Sequence, residues 1–135
     1  MENVEAAYLA GIIDGEGSIT LTRMHSKEFR RPCISIASTD LELLSYINSI
    51  VISRINYKKN YYPDNHKNSY TLTIKKKETV MFVLSKILPY LRIERKIKRT
   101  QWILDHYNIV TPRNGKYTPE MLKVKLQFEE VFFDI

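Results

Sequence analysis

Tyr8-Leu9-Ala10-Gly11-Ile12-Ile13-Asp14-Gly15-Glu16-Gly17-Ser18-Ile19 is the stretch on which the reading of this chain turns. From Val4 to Asp14 nearly every position is apolar, the pattern of a helix covered on several sides. Gly15 and Gly17 are then expected to stop that helix, as glycine does at helix C-termini. Asp14 and Glu16 stand at this end, where the helix dipole favours cations, so the two acids need a counter-charge. A hard divalent cation with oxygen ligands supplies one. The same residues also suit an ordinary helix end with two solvated acids, and the residues alone leave both readings open. Gly11 and Gly15, four apart, lie on one helix face, where missing side chains let another helix pack closely.

Working outward, Ser18 to Arg23 alternates, with Ile19 and Leu21 on one side and Ser18, Thr20 and Thr22 on the other, as a half-buried strand does. Pro32 to Ser38 repeats the pattern with Ile34 and Ile36, giving a β-hairpin across a basic loop. Thr39-Asp40-Leu41-Glu42 fits a capping box that opens a second helix, with Leu44, Ile47 and Val51 as its stripe. Two more strands, Arg54 to Tyr61 and Ser69 to Ile74, flank a turn at Pro63-Asp64-Asn65. Helical periodicity returns in Glu78 to Leu88, ending at Pro89, and in Ile93 to Asn108, with Ile93, Ile97, Ile103, Leu104 and Tyr107 as apolar positions. After a loop turning at Asn114-Gly115, Thr118 as N-cap and Pro119 at the first position start a last helix. Met121, Val124, Phe128 and Phe132 are its expected buried stripe. The order α-β-β-α-β-β-α plus further helix predicts an α+β fold with an antiparallel sheet.

At 135 residues the chain is expected to form one domain. No apolar run approaches the length of a membrane span, and no basic-then-apolar leader opens the chain. The single cysteine, Cys33, excludes an intrachain disulfide framework and a Cys-rich zinc cluster. The expected setting is intracellular, in the cytoplasm or in an organelle that encodes the protein. Net charge is +6, and it is polarised. Arg54 to Arg99 holds 13 basic and 3 acidic residues, a net of +10, while the remainder nets −4. Such a chain presents one strongly positive surface, and nucleic acid is the commonest partner for one.

The segment Leu9-Ala10-Gly11-Ile12-Ile13-Asp14-Gly15-Glu16-Gly17 resembles the signature of the LAGLIDADG homing endonucleases. The following Ser18-Ile19 strand and the αββαββα order agree with that family over residues 4 to 108, leaving a helical extension over residues 118 to 133. One copy of the motif implies a homodimer in which two motif helices pack through Leu9, Gly11, Ile12 and Gly15. The resemblance implies metal-assisted hydrolysis of both DNA strands across the minor groove, leaving short 3′ overhangs. Glu16 and the carbonyl of Gly15 would ligate Mg²⁺, with Mn²⁺ substituting and Ca²⁺ supporting binding without cleavage. Such ions lower the pKa of an attacking water and stabilise the leaving oxygen. Asp14 is expected to hold the helix end and the hairpin together. Two positions depart from the family pattern. Ser38 and Thr39 stand where a Gln is common. Glu94 stands where a lysine is common, so Arg95 or Lys96 is expected to stabilise the transition-state phosphate.

The alternate positions of the four strands are polar: Ser18, Thr20 and Thr22; Arg31 and Ser35; Arg54, Asn56 and Lys58; Ser69, Thr71 and Thr73. With the Ile and Leu positions turned to the helices, these side chains share a face that can lie in the major groove, where Arg pairs with G and Asn with A. An antiparallel sheet with one solvated face is also common. Lys58, Lys59, Lys67 and Lys75 to Lys77 are expected mainly on phosphates. His25, His66 and His106 lack Cys or His partners at ligand spacing, and Trp102 and the tyrosines read as core and interface. No phosphate-binding glycine loop or serine nucleophile elbow is present. The rival readings are a non-cleaving DNA- or RNA-binding protein on the same fold, a maturase or regulator, and a module whose basic face binds an acidic protein.

Overall fold

The computed structural model describes residues 1–135. Helix α1 (Asn3–Glu16) leads directly into strand β1 (Gly17–Thr22), and β2 (Arg31–Ser38) pairs back on it. Helix α2 (Leu41–Ile50) connects to β3 (Arg54–Lys58) and β4 (Ser69–Ile74). Helix α3 (Lys77–Ile87), a single 3₁₀ turn at Leu88–Tyr90, α4 (Glu94–His106) and α5 (Pro119–Asp134) complete the chain. The four strands form one antiparallel sheet in the order β1-β2-β4-β3. Ile19, Leu21, Ile34, Ile36, Leu72 and Ile74 point to one face, and α1 to α4 cover it through Leu9, Ile13, Leu44, Ile47, Val80, Leu84 and Ile103. This is the predicted α+β, αββαββα order, and no helix is long and apolar enough to cross a membrane.

Several local expectations are corrected. Helix α1 does not stop at Gly15 but runs through it to Glu16. Gly17, with φ −96°, is extended and needs no left-handed backbone. Its glycine is required by space, because a Cβ there would lie 2.8 Å from Ile13 Cα. The chain turns from helix to strand with no loop, and a side chain at this corner would force the two elements apart. The capping box predicted at Thr39 does not form. The N-cap is Asp40, whose own N–H donates to Ser38 Oγ at 3.0 Å, and this turn delays the helix by one residue. Helix α3 does end just before Pro89, as expected, and Pro89 itself lies in the 3₁₀ turn that follows.

The last helix begins as expected, with Thr118 Oγ1 accepting from Met121 N–H at 3.2 Å. Its buried face keeps Phe128 and Phe132 of the expected stripe but not Met121 and Val124. Lys125, Phe128, Glu129 and Phe132 point inward, while Met121 and Val124 are 38% and 50% exposed. The unexpected member of that face is the lysine, which is 1% exposed. Its Nζ donates to Thr111 Oγ1 at 2.7 Å and lies 4.5 Å from the Tyr107 ring centroid, with Phe128 and Phe29 also close. Cation–π attraction and one hydrogen bond make the inward orientation tolerable. Glu129, equally enclosed, takes Arg30 Nη1 at 2.8 Å.

Burial lowers the pKa of Lys125 to about 8, against partial support from Glu129 and with Lys77 pushing the same way as burial. The folded chain therefore holds fewer protons than the unfolded chain between about pH 8 and the ordinary lysine value of about 10.5. Stability attributable to this group rises with pH across that window, by roughly 3 kcal/mol at most. Lys125→Met is expected to be more stable than the parent near neutral pH, with the advantage vanishing by about pH 10.5. Urea unfolding of both proteins across the window checks this, and a constant difference would contradict it.

Candidate active site and nucleic-acid interface

The C-terminal end of α1 is built by two long-range ties to the start of α4. Asp14 turns its carboxylate to the backbone there, accepting from Arg92 N–H at 2.8 Å and from Ile93 N–H at 3.2 Å. Those N–H groups precede α4, whose N-terminus favours an anion. In return, Lys96 Nζ donates to the carbonyls of Ile13 at 2.6 Å and Asp14 at 2.8 Å. A cation at the carbonyl end of α1 is what the dipole favours, and it answers the missing counter-charge noted in the sequence. Asp14 thus holds the motif helix to α4, where the hairpin was expected.

Glu16 has no such partner. It is exposed, and its carboxylate makes no hydrogen bond or ion pair within the chain. Its backbone is nevertheless fixed, two residues beyond the nearer carbonyl held by Lys96 and one before the tight corner at Gly17. The result is an anchored, unpaired acid beside the peptide of Gly15. These are oxygen donors, the set a hard cation takes. Three His, Cys, Asp or Glu side chains do not converge anywhere in the one chain. A divalent ion here would therefore draw on Glu16, backbone oxygen and groups from outside the chain.

The expected cationic residues separate. Lys96 reaches the end of α1. Arg95 turns away, its Nε donating to the carbonyl of Ile135 at 3.2 Å. Glu94, at the place of the expected lysine, pairs with Lys98 at 2.9 Å on the surface of α4, and that hydrogen bond holds its pKa down. Arg99, which the sequence reading did not single out, donates to the Ile19 carbonyl at 3.1 Å and stacks over Phe132, tying α4 and α5 to β1.

The four residues proposed for the helix interface divide by face. Leu9 is wholly buried in the chain's own core, since a 100° step per residue groups it with Ala6, Ala10 and Ile13. Gly11 and Gly15 are exposed and Ile12 half-buried on the other side. With Ala7, Tyr8 and Leu43 they line a groove of about 490 Å³ that ends at Glu16. A Cβ built on Gly11 or Gly15 meets nothing within 4 Å.

Opposite the core, the sheet carries the polar residues in register. Directly paired residues point to the same face. Ser18, Ser35, Thr73 and Arg54 thus form one row across all four strands, with Ser18 Oγ and Ser35 Oγ 2.8 Å apart. Ala37, Thr71 and Asn56 form the next row, then Ser69 and Lys58; on the other side come Thr20 with Cys33 and Thr22 with Arg31. Arg31, Arg54, Asn56 and Lys58 are exposed, while Thr20, Thr22, Ser35, Ser69, Thr71 and Thr73 are half-buried. Cys33 is the odd member: it shares this face yet is 4% exposed, and burial raises its pKa. Long charged side chains on the edge strand and short hydroxyls in the middle give the face donors at graded reach.

A glycine-lined helix ending in a free acid, behind a sheet with one polar face, is the arrangement of the LAGLIDADG class. Residues 3–88 match the model of the LAGLIDADG-like domain, and the chain belongs to that family. Comparison with curated proteins finds no match. Among solved structures the chain is similar to the homing endonuclease I-CvuI in complex with its target in the presence of 2 mM Ca, with a TM-score of 0.75 and 17% identity. That alignment covers 97% of this chain and 81% of the other. The archaeal intron-encoded homing endonuclease I-Vdi141I, complexed with DNA, gives a TM-score of 0.64 at 16% identity, covering 99% of this chain and 85% of the other. The LAGLIDADG homing endonuclease I-GzeII in complex with a DNA target gives 0.67 at 16% identity, covering 92% of this chain but 43% of the other. At these identities the likeness is one of fold.

Proposed function

We propose that this chain is a homodimeric, Mg²⁺-dependent, site-specific double-strand DNA endonuclease of the homing type. The observation that carries the proposal is Glu16: an anchored acid without an internal partner, at the end of a helix face left open by two glycines. Pairing that face with its copy would fill the groove and bring the two Glu16 side chains together, completing a donor set that one chain lacks. Two carboxylates so close repel one another, and a cation held between them offsets that repulsion.

Glu16 and the Gly15 carbonyl would hold the ion. Bound Mg²⁺ supplies a lowered water pKa and charge stabilisation at the leaving 3′ oxygen. Lys96 keeps the last turn of α1 in place and retains one N–H beyond the two it donates to carbonyls, so it is the cation nearest the proposed role at the phosphate. Arg95, engaged at the chain's C-terminus, is not assigned that role. Arg54 and Asn56 would read bases from the sheet, Arg31 would assist, and the lysines would grip phosphates.

One observation favours the rival, a non-cleaving DNA- or RNA-binding protein such as a maturase or regulator. The acid Glu94 stands where the family often has a lysine, and its partner is Lys98. A randomised duplex library incubated in Mg²⁺ and in Ca²⁺ separates the two. Cleavage predicts paired breaks with short 3′ overhangs in Mg²⁺ only. Recovery of bound, intact duplex in both ions would favour the rival.

A further inference from the structure

The tip of the β3–β4 hairpin has chemistry that a paired duplex does not use. Tyr61 and Tyr62 are 73% and 63% exposed. Large rings in a surface loop ordinarily fold back or move freely, but here the loop is bolted beneath them. Asn60 Nδ2 donates to the His66 carbonyl at 2.7 Å, and Asn60 Oδ1 accepts from Tyr62 N–H at 3.0 Å. Asn65 and His66 N–H both donate to the Tyr62 carbonyl, closing the predicted turn. At the neck, Tyr57 Oη donates to Asn68 Oδ1 at 3.1 Å. The two rings are thus held outward, with His66 edge-on to Tyr62 and the Lys59 ammonium 4.9 Å from the Tyr61 centroid. Lys58, Lys59 and Lys67 surround them against one acid, Asp64, and none of the three lysines is in an ion pair.

Exposed rings and unpaired cations on an ordered scaffold are the two parts of a single-strand binding surface: bases stack on the rings and phosphates meet the lysines. A duplex hides its base faces, so these rings find their natural partners only where bases are unpaired. The hairpin is also remote from the acid. Strand β3 lies three strand spacings from β1, which leaves Glu16, or about 14 Å across the sheet. We propose that the hairpin tip is a second nucleic-acid subsite, one that takes unpaired bases by stacking on Tyr61 and Tyr62. It does not require the cleavage reading and stands or falls apart from it.

Fluorescence anisotropy with the full chain tests it, using a labelled mixed-sequence DNA strand of about 20 nucleotides, the same sequence as RNA, and the corresponding duplex. Tyr61→Ala with Tyr62→Ala is expected to weaken single-strand binding on the order of 10- to 100-fold. Tyr61→Phe with Tyr62→Phe, which keeps the ring faces, should stay within about threefold of the parent, and duplex affinity should change by less than that in both variants. Preference for the DNA strand points to a strand freed from duplex, preference for RNA to a transcript. Absence of single-strand binding, indifference to the alanine substitutions, or equal losses for strand and duplex would each overturn the proposal.

Discussion

In Mg²⁺, Glu16→Gln is expected to cut a bound site at least on the order of 10³-fold more slowly than the parent while binding the same duplex in Ca²⁺ within about threefold. The substitution removes one negative charge and keeps the size and polarity of the side chain. Glu16 has no internal partner to lose, so the fold should not notice the change. Thermal unfolding is expected to coincide with the parent's. The expected separation of cleavage from both binding and stability is what marks a residue whose work lies outside the folded chain. Residual cutting close to the parent's rate would remove Glu16 from the mechanism.

A second large effect belongs to the open face of α1. Gly11→Leu adds a side chain where the single chain has empty space. In an exposed helix interior, leucine is favoured over glycine by nearly 1 kcal/mol, so the isolated chain should be at least as stable as before. In the paired form each copy drives a leucine into a closely packed helix. Overpacking costs roughly 1–3 kcal/mol per site, and two sites per dimer weaken association by roughly 30- to 20,000-fold. Sedimentation should show monomers at concentrations where the parent is dimeric, and at dilutions where both are monomeric the variant should melt no lower than the parent. Undiminished association would mean that this face is not the contact.

Much of this arrangement was legible in the sequence because its signals are periodic and local. Alternation in Ser18 to Arg23 and Ser69 to Ile74, and the i, i+3, i+7 stripe of Leu44, Ile47 and Val51, fixed which faces meet. Thr118-Pro119 announced its helix correctly. Glycine was ambiguous: the same residue type ends helices, fits tight corners and thins helix faces, and only packing distinguishes Gly15 inside α1 from Gly17 at its end. Leu9 looked like part of an interface because an all-apolar helix does not say which side is covered by its own chain. Lys125 was invisible for a different reason. Its burial depends on Phe29, Tyr107 and Thr111, none of them on its own helix. The ties made by Asp14 and Lys96 join residues 78 to 83 apart in sequence, and no local pattern encodes them.

The most direct measurement is the distance between the two residue-16 carboxylates in a crystal structure of the DNA complex grown with Ca²⁺. The account predicts two copies of α1 packed along their glycine faces, with the Glu16 side chains less than about 10 Å apart over the scissile phosphates, close enough to flank the ions of a shared metal site. A single copy on the DNA, or two copies with residue 16 in open solvent and tens of ångströms from its mate, would contradict it.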